Sequence, residues 1–192
     1  MLPEGLNGAE LHRLLDAAIA EDIGRGDITS LAVIPKSTYF RGVITAREEI
    51  VCAGLPLLPI IFRKFSEKIS YTLCVNDGLK VPAGKPLAKL EGPAIDLLSA
   101  ERTAINLLQH LSGIATLTRQ YVKQINGTGA ILLDTRKTVP GLRNLATYAT
   151  RIGGATNHRM RLDDGVLIKD NHVAVSGGIV EAVSRAKAAS LD

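Results

Sequence analysis

Apolar positions near the start of the chain recur at the spacing of an amphipathic helix. One apolar stripe that repeats every three to four residues is typical of a helix that buries a single face. Asn7 is a suitable N-cap and Gly24 a suitable stop for such a helix. We therefore predict a first helix between these two residues. Its apolar stripe consists of Leu11, Leu14, Leu15, Ala18 and Ile19.

The following residues show the pattern of short strands separated by turns. A short helix is expected in "PLLPIIFRKF", and turn signals stand at Asn76-Asp77-Gly78 and at Pro82-Ala83-Gly84. With the first helix, this pattern predicts that residues 1–112 form an α+β unit. β-branched residues and glycines predict strands in three stretches, "GDITSLAVI", "YFRGVITARE" and "EIVCAGLPL".

The pattern changes after residue 93, where helical spacing continues for about nine turns. We predict an interruption of this helix at Ser112-Gly113 and a second domain over residues 113–192. Downstream, short apolar runs alternate with helical stretches, which is typical of βα units in a parallel sheet. The apolar runs and helical stretches are, in order, "AILLD", "GLRNLATYATRIGG", "GVLIKD" and "GGIVEAVSRAKAA".

Cationic residues follow the two predicted strands of this second domain. We expect a buried strand over residues 130–134, with further cations in "NHRMR" and at the end of "GVLIKDNH". Because parallel sheets bind ligands at the carboxyl ends of their strands, these side chains are expected to converge on one rim. The residues expected at this rim are Arg136, Lys137, His158, Arg159, Lys169 and His172.

The residue types at this rim favour a small polyanionic ligand. The arginine fork suits carboxylate or phosphate, and lysine supplies a compact charge for phosphate oxygens. Each residue taken singly could instead be a solvated charge or the partner of Asp134, Asp163 or Asp170. The net charge of +4 is scattered and aromatic residues make up 4%, so a nucleic-acid partner is not expected.

Several other classes of protein are not expected from the sequence. No apolar run approaches the ~18 residues that a membrane span requires, and the start resembles no secretory signal, so a cytoplasmic location is predicted. The P-loop and the G-x-S-x-G elbow are both missing from the sequence. Cys52 and Cys74 form no C-x-x-C pair and are expected to be two buried thiols.

Five stretches resemble, in order and spacing, the carboxylating nicotinate-nucleotide pyrophosphorylase family, also called quinolinate phosphoribosyltransferase. The resemblance implies an α/β fold, with an N-terminal α/β sandwich domain over residues 1–112 and the first part of an incomplete TIM-like α/β barrel over residues 113–192. Only two or three βα units fit after Gly127, and a closed barrel needs more, so we expect a fragment or a truncated homologue. The five stretches are "EDIGRGDITS", "SAERTAINLLQHLSGIAT", "LDTRKTVPGLR", "GGATNHRMRL" and "LIKDNH".

The family resemblance also implies an activity. Quinolinate and phosphoribosyl pyrophosphate would react to give nicotinate mononucleotide, pyrophosphate and CO₂, a pentosyl transfer of NAD biosynthesis. Mg²⁺ would accompany the phosphoribosyl donor, and no metal ligand is expected within these residues. Two alternatives are a truncated, non-catalytic dimerisation or binding module and a molybdenum-transport-associated relative with another substrate.

Matched position by position, the resemblance implies roles for individual residues. Arg102 is similar to an arginine that reaches quinolinate in the neighbouring subunit of a homodimer or higher homo-oligomer. Lys137 and Lys169 resemble the catalytic lysines, which bind the anionic groups of the substrates, chiefly the donor phosphates. The rest of the quinolinate clamp is implied to be Arg136, His158 and Arg159.

Overall fold

The computed structural model describes residue 6 and residues 8–189. They form two compact units, the first ending at Asn157 and the second starting at His158. The helices are α1 (Gly8–Ile23), α2 (Ile28–Val33), α3 (Leu57–Arg63), α4 (Ala94–Gln124), α5 (Arg143–Gly153), α6 (Asp170–Ser176) and α7 (Ile179–Ala188). The strands are β1 (Tyr39–Thr45), β2 (Ile50–Val51), β3 (Ser70–Leu73), β4 (Lys80–Val81) and β5 (Pro86–Pro93).

The first helix agrees with the sequence prediction. Leu11 and Leu15 are buried on the expected face of α1, and Gly24 ends the helix with a φ of +53°. That backbone conformation suits glycine because a Cβ atom would be strained there. The predicted N-cap, Asn7, lies outside the described residues.

The first unit contains an antiparallel sheet of order β1-β5-β3 and a small pair of β2 with β4. β1 and β3 both pair with β5, in registers that place Val43 opposite Lys89 and Leu73 opposite Ala88. The strand predicted in "YFRGVITARE" and the helix predicted in "PLLPIIFRKF" are therefore confirmed. The strand predicted in "EIVCAGLPL" is limited to the two residues of β2.

The strand predicted in "GDITSLAVI" is wrong, because this stretch forms α2. Asp27 caps the helix by accepting a hydrogen bond from the Ser30 backbone N–H at 2.9 Å, which satisfies one of the donors left free at a helix start. Ser99 of α4 donates to the other oxygen of the same carboxylate at 3.1 Å. Hydrogen bonds from Ser30 hold the pKa of the Asp27 carboxyl below its usual value.

Helix α4 is continuous over 31 residues, so the predicted interruption at Ser112-Gly113 is wrong. Ser112 is buried, and its hydroxyl bonds the backbone N–H and carbonyl of Ala53, at 3.1 and 3.3 Å. Gly113 faces open space. Because both residues are accommodated without a break, the buried stripe of the helix runs on through Ala115. The domain boundary at 112/113 stays a prediction.

Asp77, in the turn between β3 and β4, joins three parts of the first unit. Its carboxylate accepts hydrogen bonds from the backbone N–H groups of Gly54 and Leu55, at 2.6 and 3.1 Å, just before α3. It also accepts a hydrogen bond from the hydroxyl of Tyr148 on α5. Tyr148 is buried, and burial followed by the Asp77 contact raises the pKa of its phenol. A carboxylate near a helix start is also favoured by the helix dipole.

Helices α4 and α5 pack closely at Gly153. Arg119 of α4 donates from Nε to the carbonyl of Gly153 at 2.7 Å and from Nη2 to the carbonyl of Ile152 at 3.1 Å. These contacts satisfy carbonyl groups that the end of α5 leaves without intrahelical donors. Gly154 then ends α5 with a φ of +105°.

Only one of the two thiols is buried, so the expectation of two buried thiols is wrong. Cys52 is buried, and burial, followed by the charge of Asp77, raises the pKa of its thiol to about 12. Cys74 follows the half-buried Leu73, and the alternation of an extended chain turns it to solvent.

We expect one thiol to react with an aromatic disulfide reagent at pH 8 in the folded protein and two after denaturation. The reactive group is the thiolate, which Cys52 reaches only at high pH. Because the folded pKa of Cys52 lies above its unfolded value near 9.0, its contribution to stability should fall as the pH rises from 9 towards 12. Cys74→Ser is the control, and rapid labelling of this folded variant would contradict the assignment.

The second unit contains α6 and α7, so the helix predicted in "GGIVEAVSRAKAA" is confirmed. The strand predicted in "GVLIKD" is wrong, since residues 165–169 have no strand structure. An apolar run becomes a parallel strand only when neighbouring strands bond its backbone, and no ladder partner for this run lies among the described residues. None of the helices in the described part of the chain has the length and apolar content needed to cross a bilayer.

Candidate functional site

The residues before Arg136 make a short parallel pairing with the segment that follows α5. Leu133 pairs with Thr156. The Asp134 N–H donates to the Thr156 carbonyl at 3.1 Å, and the Thr156 N–H donates to the Leu132 carbonyl at 2.9 Å. Arg136 follows two residues after Asp134 and therefore lies just past the carboxyl end of the paired segment.

The buried strand expected over residues 130–134 is reduced to this single bridge. Ile131 is 72% exposed and Leu133 is 47% exposed, so the expectation of burial is wrong. Apolar side chains of a parallel strand are covered by strands on both sides and by packed helices. Within the described residues, one side of this segment is paired and its apolar side chains stay in contact with solvent.

Arg136 has a guanidinium that the described structure leaves incompletely bonded. Its Nε is buried and has no hydrogen-bond partner among the described residues. A buried donor without an acceptor costs about 1–3 kcal/mol, and more when it is charged. A ligand oxygen at this nitrogen would remove that cost, and the planar fork suits a carboxylate.

Lys137 is exposed in the loop that connects Asp134 to α5. Its backbone N–H donates to the Thr135 hydroxyl at 3.2 Å, and the Thr138 N–H donates to the Arg136 carbonyl at 3.0 Å. Arg143, at the start of α5, donates from Nε to the Thr138 hydroxyl at 3.3 Å. The loop backbone is therefore held by local contacts, and the lysine ammonium is left towards solvent.

Arg102 lies on the exposed face of α4, one turn after Ser99. Its neighbour Thr103 is turned inwards, and the Thr103 hydroxyl is buried without a hydrogen-bond partner in the described part of the chain. An arginine on an exposed helix face is accessible to another molecule. Its predicted reach into a neighbouring subunit stays a prediction.

The other predicted site residues belong to the second unit. Arg159 is half-buried, and its Nη1 donates to the Gly165 carbonyl at 2.7 Å. His158 and Lys169 are exposed, and Lys169 immediately precedes α6. The Lys169 backbone N–H donates to Nδ1 of His172 at 2.9 Å, which occupies that ring nitrogen as an acceptor. The convergence of all six cations on one rim stays a prediction.

No group of three or more His, Cys, Asp or Glu side chains is placed to hold a metal ion over the part of the chain that the structure describes. Mg²⁺ in proteins is bound through one or two carboxylates together with waters and substrate phosphates. The Mg²⁺ expected to accompany the phosphoribosyl donor therefore stays a prediction, and we assign neither a ligand nor a reaction step to the cation.

Asn157 is a candidate positioning residue that the sequence did not single out. It stands in "ATNHRM", directly before His158, and its side chain is uncharged, whereas the predicted rim consists of cations. Its amide bonds the Asp134 carboxylate. The available signal was its place in one of the five matched stretches, although that place alone does not reveal the partner of the amide.

Two protein-family models match consecutive parts of the chain. The N-terminal domain of quinolinate phosphoribosyl transferase matches residues 27–112, and the C-terminal domain of the same enzyme matches residues 114–191.

Curated relatives match almost all of this chain but are longer. A probable carboxylating nicotinate-nucleotide pyrophosphorylase of Bacillus subtilis (strain 168) is 42% identical over 185 residues, which is 96% of this chain and 64% of the relative. The carboxylating nicotinate-nucleotide pyrophosphorylase of Mycobacterium leprae (strain TN) is 43% identical over 176 residues, covering 90% of this chain and 62% of the relative. The chain thus spans less than two thirds of the length of these relatives.

A solved structure gives the same similarity. The nicotinate-nucleotide pyrophosphorylase of Francisella tularensis superimposes with a TM-score of 0.91 at 38% identity, covering 96% of this chain and 65% of that protein. The α/β class predicted from the sequence is confirmed by this match and by the mixture of helices and strands.

Proposed function

Because the chain belongs to the quinolinate phosphoribosyltransferase family, we propose that it takes part in phosphoribosyl transfer to quinolinate. The proposed products are nicotinate mononucleotide, pyrophosphate and CO₂, in NAD biosynthesis. Since the chain spans 64% of the Bacillus subtilis relative, the function assigned to the described residues is the binding of quinolinate and of the donor's anionic groups.

The observation that carries this proposal is the buried, unpartnered Nε of Arg136 at the end of the paired segment. Quinolinate has two carboxylates on adjacent ring carbons, one of which lies beside the ring nitrogen. A guanidinium with an unsatisfied buried donor provides a charge-assisted, directional partner for one of them. Holding the ring in this way orients its nitrogen for attack on the anomeric carbon of the donor.

The other residues receive roles from the family. Lys137, exposed in the same loop, is proposed to bind the donor's phosphate groups and to stabilise the leaving pyrophosphate. Arg102 is proposed to serve the partner subunit's site in a homodimer. For the second unit, His158 and Arg159 are proposed to bind quinolinate, and Lys169 to bind the donor.

The proposed reaction requires little covalent chemistry from the protein. The pyridine nitrogen attacks the anomeric carbon while the bond to pyrophosphate breaks, and the ring nitrogen becomes cationic. The adjacent carboxylate then leaves as CO₂, because the positive nitrogen stabilises the electron pair that remains on the ring. A proton from water is taken up by that pair, which gives the C–H bond of nicotinate mononucleotide. Mg²⁺ is proposed to arrive with the donor, and a cytoplasmic location is also part of the proposal.

We expect Arg136→Ala to weaken quinolinate binding by about 10- to 150-fold, since the loss of a charge-assisted hydrogen bond costs roughly 1.5–3 kcal/mol. Arg136→Lys should fall between this variant and the wild type, because it keeps the charge without the planar fork. Calorimetric titration of the purified 192-residue chain measures all three affinities.

Arg41→Ala is the matched control. Arg41 lies on β1 with its side chain 82% exposed and pairs with Glu91 at 3.0 Å, so its loss removes the same charge without altering the loop. Its affinity for quinolinate should equal that of the wild type. A folded wild-type chain that binds no quinolinate would contradict the proposed function, and an unchanged Arg136→Ala variant would contradict the role of Arg136.

A further inference from the structure

Asn157 bonds two parts of the first unit through one side-chain amide. Its Nδ2 lies 2.7 Å from Oδ2 of Asp134 and 2.9 Å from the carbonyl oxygen of Thr147 on α5. A longer contact of 3.5 Å reaches the Thr150 hydroxyl. An asparagine amide has two N–H groups, so the two short contacts account for both.

Asp134 is held at two points as a result. Its backbone N–H donates to the carbonyl of Thr156, the neighbour of Asn157, and its carboxylate accepts the Asn157 amide. The backbone bond aligns the segment, and the side-chain bond connects the end of that segment to α5. The loop that contains Arg136 therefore begins at a residue, Asp134, whose backbone and side chain are both hydrogen-bonded.

The far end of the same loop is held separately. Arg143 donates to the Thr138 hydroxyl at 3.3 Å, and the Leu142 N–H donates to the Val139 carbonyl at 3.1 Å. Arg136 therefore lies between two anchored points, with Asn157 acting on the first of them. Loss of the first anchor alone would leave the guanidinium less well placed while the second anchor still held the loop.

The contact also concerns the charge of Asp134. Asp134 stands two residues before Arg136 in the sequence, and an arginine that is paired with a carboxylate has fewer donors for a ligand. The Asn157 amide gives Oδ2 of Asp134 a neutral partner at 2.7 Å. The Arg136 Nε has no such partner among the residues described.

We infer that Asn157 is a positioning residue for Arg136, acting through Asp134 to keep the guanidinium placed and available for a carboxylate of the substrate. The inference rests on the proposed function, because quinolinate is the ligand whose binding it explains. Asn157 itself is assigned no contact with the substrate.

The test is calorimetric titration of quinolinate into variants of the 192-residue chain. Asn157→Asp keeps the shape of the side chain, removes both N–H groups and places a second carboxylate beside Asp134. We expect it to weaken quinolinate binding by about 10-fold or more, the size of one lost charge-assisted hydrogen bond. Asn157→Ala removes the amide without adding charge, and about a threefold to tenfold loss is expected.

A rescue variant separates positioning from general destabilisation. In the double variant Asp134→Asn with Asn157→Asp, an amide again faces a carboxylate, so the affinity should recover part of the loss seen in Asn157→Asp, while the bond to the Thr147 carbonyl stays lost. Each titration is made well below the melting temperature measured by circular dichroism, so that all variants are fully folded. A role in stability alone would lower the melting temperature and leave the affinity of the folded protein unchanged.

The outcomes distinguish this inference from the proposed function. Absence of quinolinate binding by the folded wild type contradicts the proposed function and removes the basis of the inference. Binding that is weakened by Arg136→Ala but equal to wild type in both Asn157→Asp and Asn157→Ala overturns the inference alone. If Asn157→Asp does not fold, wild-type affinity in Asn157→Ala overturns it.

Discussion

Replacing Gly153 by alanine should lower the free energy of unfolding by about 2–4 kcal/mol, because overpacking against an immovable neighbour is among the costlier core changes. A Cβ at this position would lie 2.5 Å from the Cβ of Thr118 and 2.8 Å from the carbonyl oxygen of Ala115. Neither atom is at the end of a flexible side chain. Relief therefore requires α4 and α5 to move apart, which would also disturb the bonds from Arg119.

Gly113→Ala is the matched control for this prediction. Gly113 is in the interior of α4, and a Cβ there would meet nothing within 4 Å. Alanine is the better helix former, so this variant should gain about 0.5–1 kcal/mol. Urea unfolding of both variants measures the two changes. If both substitutions changed the free energy of unfolding in the same direction, the close packing inferred at Gly153 would be contradicted.

Asp77→Ala should destabilise the first unit by about 3–5 kcal/mol, because it leaves several donors without their acceptor at once. The backbone N–H groups of Gly54 and Leu55 and the hydroxyl of Tyr148 all donate to this carboxylate. Hydrogen bonds to a charged group contribute roughly 1.5–3 kcal/mol each, and their losses do not add fully. Thermal and urea unfolding measure the change.

A double-mutant cycle with Tyr148→Phe isolates the bond between α5 and the turn. Tyr148→Phe removes one hydroxyl from a buried ring and should cost about 1–2 kcal/mol on its own. In the Asp77→Ala background the same change should cost much less, giving a coupling energy of about 1 kcal/mol or more. Lys80→Ala is the control, since Lys80 pairs with the exposed Glu49 and a surface pair contributes little. Full additivity of the two losses would contradict the role of the Tyr148 hydroxyl.

Predictions from local sequence pattern succeeded where burial on one face of a continuous element was sufficient. The stripe of α1 and the apolar core of α3 are examples. The pattern failed for α2, because its β-branched residues favour strands while the cap at Asp27 and the bond from Ser99 favour a helix. Ser99 lies 72 residues after Asp27 in the sequence. The local pattern around α2 therefore could not reveal this hydrogen bond.

The candidate site also contains some features that the sequence predicts and others that it does not. Arg136 and Lys137 could be singled out from the sequence because two adjacent cations follow an apolar run. The buried Nε of Arg136 and the bond between Asn157 and Asp134 could not be predicted. Both depend on which segments meet in space, and residue type alone does not encode the partner of an amide or a guanidinium.

By itself, the sequence determined the α/β class, the family resemblance and the residue types offered to an anionic substrate. These properties depend on short-range periodicity and on side-chain chemistry, which are local. Only the tertiary structure decided that α4 continues past Gly113, that residues 130–134 pair through a single bridge, and that Asp77 joins α3 to α5. Those features require hydrogen bonds and packing between distant residues, and their free energy exists only once the chain has folded.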